Sequence, residues 1–353
     1  MNKNSIVYLL DNASNNFKII RIVAAILVIY GHASAVTGHG PSDIFLQYVG
    51  FKFIGGVAVD VFFVISGFFI TSSVMNAPTY SYYLGSRILR VFPALIVCVC
   101  ISVFLLGPIL TTSDTYFSMA GTWDFLITNG TATNVVYSLP GVFTGLHDNT
   151  VNGSLWSLPV EVKLYIIIFG LSLFKLFNYK SFFNIIFFVV LFLGYFDSSL
   201  FISFWKYSNY VHVALMFMFG SFMCVNKNDI VICAPILLLL LALAAIQHNT
   251  PTFGVSYNIL LPYLVFYVAF IPGISFFNKF GDYSYGIYLY GWTSQQIVYS
   301  FNHNMTNCVN TILGTLLATL MGILSWHLVE KNANKLKKHL PRKKISFWRN
   351  NDK

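Results

Sequence analysis

Charged side chains are scarce in this chain. Asp, Glu, Lys and Arg make up 9% of its 353 residues, whereas 56% are hydrophobic. A soluble domain usually carries about 25% charged residues, because its surface must be solvated. So few charges cannot cover a water-facing surface, which excludes an ordinary soluble domain. The mean hydropathy of +0.69 therefore indicates that much of the surface faces lipid.

Cysteine is also scarce. The five cysteines fall within or beside apolar runs and form neither a disulfide framework nor a zinc-binding spacing. We interpret them as small core residues and predict no metal site. They are Cys98, Cys100, Cys224, Cys233 and Cys308.

Acidic residues are outnumbered by basic ones, which gives a net charge of +9. Nine of the 21 Lys and Arg residues follow Glu330. A basic tail directly after an apolar segment is typical of a cytoplasmic end held near anionic lipid. We favour this interpretation over a nucleic-acid-binding arm, because no basic surface with interleaved aromatic residues accompanies the tail. No nucleic-acid partner is predicted.

Ten apolar segments approach the length of about 20 residues that a membrane-spanning helix needs. They are 18–37, 53–75, 89–110, 155–177, 181–197, 208–225, 230–247, 253–272, 282–301 and 307–328. A cytoplasmic N-terminus leaves only Lys52 and Lys206 outside, places Lys163 within a span, and puts the other 18 Lys and Arg residues inside. We predict an all-α polytopic bundle of about 10 transmembrane helices with both termini cytoplasmic.

The chain is predicted to form one transmembrane domain at 1–338, followed by a basic cytoplasmic tail at 339–353. Residues 111–154 are polar and are interpreted as a functional outward-facing loop. One alternative is that the first span is a cleavable signal peptide. Such a peptide has basic residues, here Lys18 and Arg21, followed by an apolar run and small residues, here the Ala-Ser-Ala of 33–35. We favour a retained helix, because this segment carries the best catalytic candidate.

Three ionisable residues fall at matched depth in the predicted spans. An acid within a span is costly and is by default a functional hypothesis, and Asp60 and Glu161 are the two that qualify clearly. His32 lies in the first span. With the rise of a helix, all three lie roughly 8–11 Å below the outer boundary. Their shared depth predicts one polar site.

Three arginines fall at the cytoplasmic boundary. Arg21 is 11 residues before His32, on nearly the same helix face and about 16 Å away. Arg87 and Arg90 are three residues apart and face the same side of the third helix. Guanidinium groups at one level suit an anion with several phosphates. We predict a single cavity that joins this anion site to the histidine and the acids, as a cytosolic acyl-CoA donor would need.

Each of these features also has a plainer interpretation. Boundary arginines often set topology or contact lipid headgroups. A histidine within a span is often hydrogen-bonded in the core. Asp60 and Glu161 would equally serve a proton-coupled secondary transporter or a glycan-export protein. Residue chemistry alone leaves the enzyme and the transporter open.

Five segments, in order along the chain, carry a resemblance to a known family. They are Arg21 and His32, separated by ten residues; GVAVDVFFVISGF at 56–68; Tyr82-Tyr83 with RILRVFP at 87–93; NGSLWSLPVE at 152–161 with Tyr165; and DYSYGIYL at 282–289. From about residue 17 to about 338 the chain resembles the membrane acyltransferase-3 family, which acylates bacterial surface glycans. It departs from the family pattern at Ala58 for a glycine, Gly291 for a histidine and Asn332 for a proline.

This resemblance implies an enzyme of the bacterial inner membrane. The expected donor is acetyl-CoA, and the expected acceptor is a sugar hydroxyl of a lipid-linked or surface polysaccharide such as lipopolysaccharide O-antigen. Many members act with a fused or separate periplasmic domain that completes transfer. This protein is expected either to transfer the acyl group directly or to pass it to a separate periplasmic partner.

The resemblance also implies roles for individual residues. Arg21, Arg87 and Arg90 would hold the CoA phosphates. His32 would act as general base or accept the acyl group, with Asp60 or Glu161 as its carboxylate partner. Substrate-binding roles are expected for Trp156, Tyr165, Tyr285 and Tyr288.

Overall fold

The computed structural model describes residues 2–40, 43–196, 199–272 and 279–342. Within these ranges the regular structure is helical, and Ser5 and Val231 form an isolated β-bridge. The α-helices are α1 (Ile6–Asn12), α2 (Phe17–Thr37), α3 (Ile44–Val49), α4 (Ile54–Asn76), α5 (Tyr80–Cys100), α6 (Gly107–Leu110), α7 (Ala120–Gly130), α8 (Ser157–Leu173), α9 (Lys180–Phe196), α10 (Ser199–Trp205), α11 (Ser208–Val225), α12 (Ala234–Gln247), α13 (Phe253–Ala269), α14 (Ser284–Phe301), α15 (Asn307–Ser325) and α16 (Lys331–Lys335). The all-α prediction is confirmed.

Each of the ten predicted spans coincides with a helix. Five helical runs are long and apolar enough to cross a membrane: Phe17–Thr37, Ile54–Asn76, Tyr80–Leu110, Ser208–Val225 and Asn307–His339. Shorter apolar helices cover Lys180–Gly194, Ala234–Gln247 and Phe253–Ala269. The molecule is a polytopic membrane helical bundle.

Among the boundaries that differ from the predicted ones, two have clear local reasons. The helix of the third predicted span, α5, begins at Tyr80 rather than at 89, because the hydroxyl of Thr79 caps it by accepting a hydrogen bond from the Tyr82 amide. The helix of the fourth predicted span, α8, ends at Leu173 rather than at 177, because Lys175 adopts a left-handed conformation with φ 56°. Of the predicted tail, residues 343–353 lie outside the described part of the chain.

Close backbone contact joins α4 to α11. A Cβ atom added at Gly67 would lie 1.9 Å from the carbonyl oxygen of Phe217, and one added at Gly220 would lie 2.0 Å from that of Val64. Small residues that let backbones approach are the usual basis of helix packing in membranes. This pair of glycines fixes α4, which carries Asp60, against α11.

The helix α14 lies at the centre of the bundle, against α2 and α15, and is buried from Ser284 to Gln296. Its polar side chains anchor the end of the 111–154 segment. Gln296 donates to the carbonyl oxygens of Asp148 (2.7 Å) and Thr150 (2.8 Å), and Trp292 donates to that of Thr150 at 2.9 Å. The chain therefore enters α8 from a fixed position beside α14.

Candidate active site

A cavity of about 160 Å³ lies near the end of the bundle that the charge distribution predicts to be cytoplasmic. We call it the inner cavity. Its volume is below the range of about 300–1,000 Å³ typical of small-molecule sites, which suits the reactive end of a donor rather than a whole nucleotide. Its polar lining comprises Arg21, Ser66, Arg87, Arg90, Ser157, Glu161, Tyr165, Tyr285 and Tyr288.

The three arginines that the sequence placed at one level do meet in this cavity. Arg21 comes from the second turn of α2, while Arg87 and Arg90 project from one face of α5. Each guanidinium also lies against an aromatic ring, which favours a cation at that position. The distances from guanidinium carbon to ring centre are 5.9 Å for Arg21 and Phe62, 6.0 Å for Arg87 and Tyr165, and 5.4 Å for Arg90 and Tyr285.

Two carboxylates that the sequence did not single out hold two of these arginines. Asp282 Oδ2 accepts from Arg21 Nη1 and from Arg90 Nη2, both at 2.8 Å. Glu330 Oε2 accepts from Arg90 Nη1 at 3.1 Å. Because only acids well inside the predicted spans were considered, Asp282 at the first position of 282–301 and Glu330 just after 307–328 were missed. The sequence did carry a signal for them, because the predicted topology places both acids at the same cytoplasmic boundary as the three arginines.

Arg87 differs from the other two arginines. It makes no ion pair with any described residue, and its Nη2 lies 3.5 Å from the hydroxyl of Ser73. Its Nε is buried and has no hydrogen-bond partner among the described residues. A guanidinium with unmet donors beside a cavity is prepared to bind an anion.

Glu161 is the carboxylate of the inner cavity. Its Oε1 accepts from the hydroxyls of Tyr165 at 2.5 Å and Ser66 at 3.1 Å. Both donors come from residues that line the same cavity. The structure thus brings Glu161 together with Tyr165 and the arginines.

Asp60 belongs to a different cluster. Its fully buried carboxylate accepts from Lys52 Nζ at 2.7 and 2.8 Å, from the Tyr257 hydroxyl at 2.6 Å, and lies 3.1 Å from His212 Nε2. Burial lowers the pKa of the Lys52 ammonium below its ordinary value, and the attraction of Asp60 opposes that shift. Asp60 and Glu161 were predicted to lie at equal depth in the membrane, but in the structure they have different hydrogen-bond partners.

His32 lies between two aromatic side chains. Its ring centre is 4.9 Å from that of Trp292, in an edge-on arrangement, and 6.1 Å from that of Phe53. Its Nδ1 is buried without a hydrogen-bond partner in the described part of the chain. His32 does not line the inner cavity, and the hydrogen bonds described for Asp60 and Glu161 go to other residues. The predicted single polar site of His32, Asp60 and Glu161 is not assembled in this structure, because depth fixes a position along a helix but not the face.

The three predicted substrate-binding tyrosines have hydroxyls that are already engaged, and that of Tyr165 donates to Glu161. Tyr285 donates to the carbonyl oxygen of Val91 at 3.0 Å, and Tyr288 to that of Ser154 at 2.8 Å. Both tyrosines therefore present their rings, rather than free hydroxyls, to the inner cavity. Trp156 lies elsewhere, in a second cavity.

This second cavity, of about 330 Å³, lies at the opposite end of α4. We call it the outer cavity. Its lining comprises Leu46, Phe51, Lys52, Phe53, Gly56, Val59, Trp156, Asn209 and Val213. Val59 lines both cavities, and the chain passes from Trp156 in the outer cavity to Ser157 in the inner one. The two cavities therefore follow each other along α4 and α8.

A sequence model of the acyltransferase-3 acyltransferase domain matches residues 14–329. The chain belongs to the acyltransferase-3 family. It is 31% identical over 343 residues to a protein of Shigella phage Sf6 named O-acetyl transferase, a match that covers 90% of this chain and 95% of the phage protein.

A second relative is nodulation protein 10 of Rhizobium leguminosarum bv. viciae. It is 26% identical over 164 residues, which is 43% of this chain and 42% of the relative. No solved structure shows significant similarity to the chain. The molecule is thus a multi-pass membrane acyltransferase, with its arginines and Glu161 around one cavity.

Proposed function

We propose that this acyltransferase is an acetyl-CoA-dependent O-acetyltransferase of the bacterial inner membrane. Its acceptor is a sugar hydroxyl of a lipid-linked or surface polysaccharide such as lipopolysaccharide O-antigen. The observation that carries the proposal is the inner cavity, where three guanidinium groups converge and Arg87 has no carboxylate partner among the described residues. The name of the Sf6 relative supports transfer of an acetyl group to oxygen.

In this mechanism the CoA phosphates bind at the arginine end, and Arg87 supplies the unmatched positive charge. Arg21 and Arg90 are held in position by Asp282 and add donors at the rim. The acetyl thioester enters the inner cavity, whose small volume admits the reactive end while the nucleotide stays outside. Charge-assisted contacts between guanidinium and phosphate are strong enough to dominate donor affinity.

The reaction exchanges one acyl bond for another. The sugar oxygen attacks the thioester carbonyl, a C–O bond forms, and the C–S bond breaks. The hydroxyl proton passes to a base and then to the departing CoA sulfur. His32 is our candidate for that base. Alternatively, the His32 imidazole first accepts the acetyl group covalently and then transfers it to the sugar oxygen.

The unpaired Nδ1 of His32 supports this role. A buried polar atom without a partner is uncommon and calls for an explanation, such as catalysis. The Phe53 ring lies next to the imidazole, with ring centres 6.1 Å apart, and also lines the outer cavity. Displacement of the Phe53 ring would admit a sugar hydroxyl to the imidazole.

Mass analysis of surface glycan tests the proposal. Glycan from cells with the gene should be heavier by one acetyl group per modified repeat than glycan from cells without it. Membrane vesicles should also incorporate label from acetyl-labelled acetyl-CoA into that glycan. Uptake of a solute into vesicles without any dependence on acetyl-CoA, together with unchanged glycan mass, would instead favour a proton-coupled transporter or a glycan-export protein.

A further inference from the structure

We propose that the outer cavity is the binding site for the acceptor sugar, with Lys52 and Asn209 as its polar contacts and Trp156 as its stacking surface. This inference rests on the proposed function, because it locates the acceptor of that reaction. It assigns roles to Lys52 and Asn209, which lie outside the family motifs, and makes Asp60 the partner of Lys52.

Position is the first argument. The lining residues come from α3, the segment between α3 and α4, the first two turns of α4 and of α11, and the residue before α8. All of these belong to the end of the bundle opposite the arginines. Since Val59 lines both cavities, a sugar in the outer cavity would meet an acetyl group delivered through the inner one.

The second argument is the aromatic wall. The Trp156 ring stacks on the ring of Tyr210, with centres 5.6 Å apart and planes 14° from parallel. Stacking holds the indole in one orientation and leaves a flat apolar face beside polar groups. A sugar ring is complementary to such a surface, because it has an apolar C–H face bordered by hydroxyls. Small-molecule binding sites in general combine apolar walls with a few placed polar groups.

The third argument is the charge of the cavity. Lys52 is the cation of the lining, and both oxygens of the Asp60 carboxylate accept from its Nζ. The ammonium is thereby fixed in place and its charge is matched. An ammonium has three donors, so it can still donate to a ligand. A lysine whose charge is neutralised by a carboxylate suits neutral sugar hydroxyls. An anionic ligand would need a cation without a carboxylate partner, such as Arg87.

The fourth argument is size. A volume of 330 Å³ lies at the lower end of the range of about 300–1,000 Å³ found for small-molecule sites. This space suits one sugar residue, with the rest of a glycan extending into the solvent. The cavity would therefore select the residue to be acetylated.

Equilibrium binding to the purified full-length protein tests this site without using catalysis. The probe is tritium-labelled oligosaccharide from the host bacterium's surface polysaccharide, treated with mild base to remove O-acetyl groups. Asn209→Ala should weaken binding several-fold, and Lys52→Met should weaken it about tenfold or more, as expected for loss of a hydrogen bond to a charged group. Lys206→Met is the matched control, because this outer lysine lies against the Tyr207 ring and does not line the cavity; its affinity should be unchanged.

Lys52→Met leaves the buried Asp60 without its cation, so it is also made together with Asp60→Asn to preserve folding. Binding to the folded double variant or to Asn209→Ala as tight as that of the wild type would overturn the proposed sugar site. The same preparations are assayed for transfer from acetyl-CoA. Binding that depends on Lys52 without any transfer by the wild type would refute the proposed function while supporting the sugar site.

Discussion

The Oδ2 atom of Asp282 lies 2.8 Å from Nη2 of Arg90 and at the same distance from Nη1 of Arg21. One carboxylate oxygen thus ties the start of α14 to both α2 and α5. The hydroxyl of Ser284 donates to the other oxygen at 2.6 Å, so the carboxylate is fixed on both sides. This bridge holds two of the three cavity arginines in place before any donor arrives.

Replacement of Asp282 with Asn should therefore destabilise the protein. Removal of one partner from a largely buried ion pair typically costs about 3 kcal/mol or more. We expect a lower midpoint of thermal unfolding in detergent, and a raised KM for acetyl-CoA because Arg21 and Arg90 lose their anchor. Asp11→Asn, at an exposed position of α1, is the control. Equal midpoints for the two variants would show that the bridge contributes nothing.

Replacement of Arg87 with Lys should weaken donor binding selectively. Lysine keeps the positive charge but loses the planar fork that contacts two phosphate oxygens at once. We expect the KM for acetyl-CoA to rise about tenfold, the effect of losing roughly 1.4 kcal/mol, and the KM for the sugar acceptor to stay unchanged. The comparison variant is Lys331→Gln, an exposed cation of α16. An unchanged KM for acetyl-CoA in Arg87→Lys would mean that Arg87 only sets topology.

The sequence was sufficient to predict the helices and the arginine cluster, for physical reasons. A span must be long and apolar, and charges must stop at its ends, so hydropathy and charge locate the helices and put Arg21, Arg87 and Arg90 at one level. Helix periodicity then aligns Arg87 with Arg90.

Hydropathy, charge and helix periodicity could not predict the partners of the buried acids. Asp60 bonds to Lys52 from the segment before its own helix, and to His212 and Tyr257 from α11 and α13. Depth along a span says nothing about which helices are neighbours or which face is turned inward. The bridge through Asp282 depends on the same missing information, since it joins three helices distant in sequence.

Replacement of His32 with Ala should abolish acetyl transfer without preventing membrane insertion. Loss of a general base typically costs about 10²–10⁴-fold in rate, and loss of a covalent acyl carrier costs at least as much. Transfer of label from acetyl-CoA to glycan measures the effect, and the amount of protein in the membrane fraction controls for insertion. His303→Ala, at an exposed position after α14, should transfer at the normal rate. Normal transfer by His32→Ala would remove this histidine from the mechanism.

Binding of the oligosaccharide should weaken at alkaline pH because of Lys52. Burial lowers the pKa of its ammonium, so Lys52 loses its proton below the ordinary lysine value of about 10.4. A neutral amine makes a weaker hydrogen bond than an ammonium, and affinity should therefore fall as pH rises toward that value. Lys52→Arg should keep its affinity over the same range, because arginine stays protonated. Identical pH profiles for the two proteins would exclude Lys52 as the titrating group.

Replacement of Gly67 with Ala should destabilise the bundle, although alanine is the better helix former. The new Cβ would lie 1.9 Å from the carbonyl oxygen of Phe217, so α4 and α11 would have to separate and the packing that holds Asp60 beside His212 would loosen. Gly170→Ala is a matched test within α8, because a Cβ there meets no atom within 4 Å. That substitution should be neutral or raise stability by about 0.5–1 kcal/mol. Thermal unfolding of both variants in detergent separates the two effects, and a Gly67→Ala protein as stable as Gly170→Ala would show that close contact between α4 and α11 is not required for the fold.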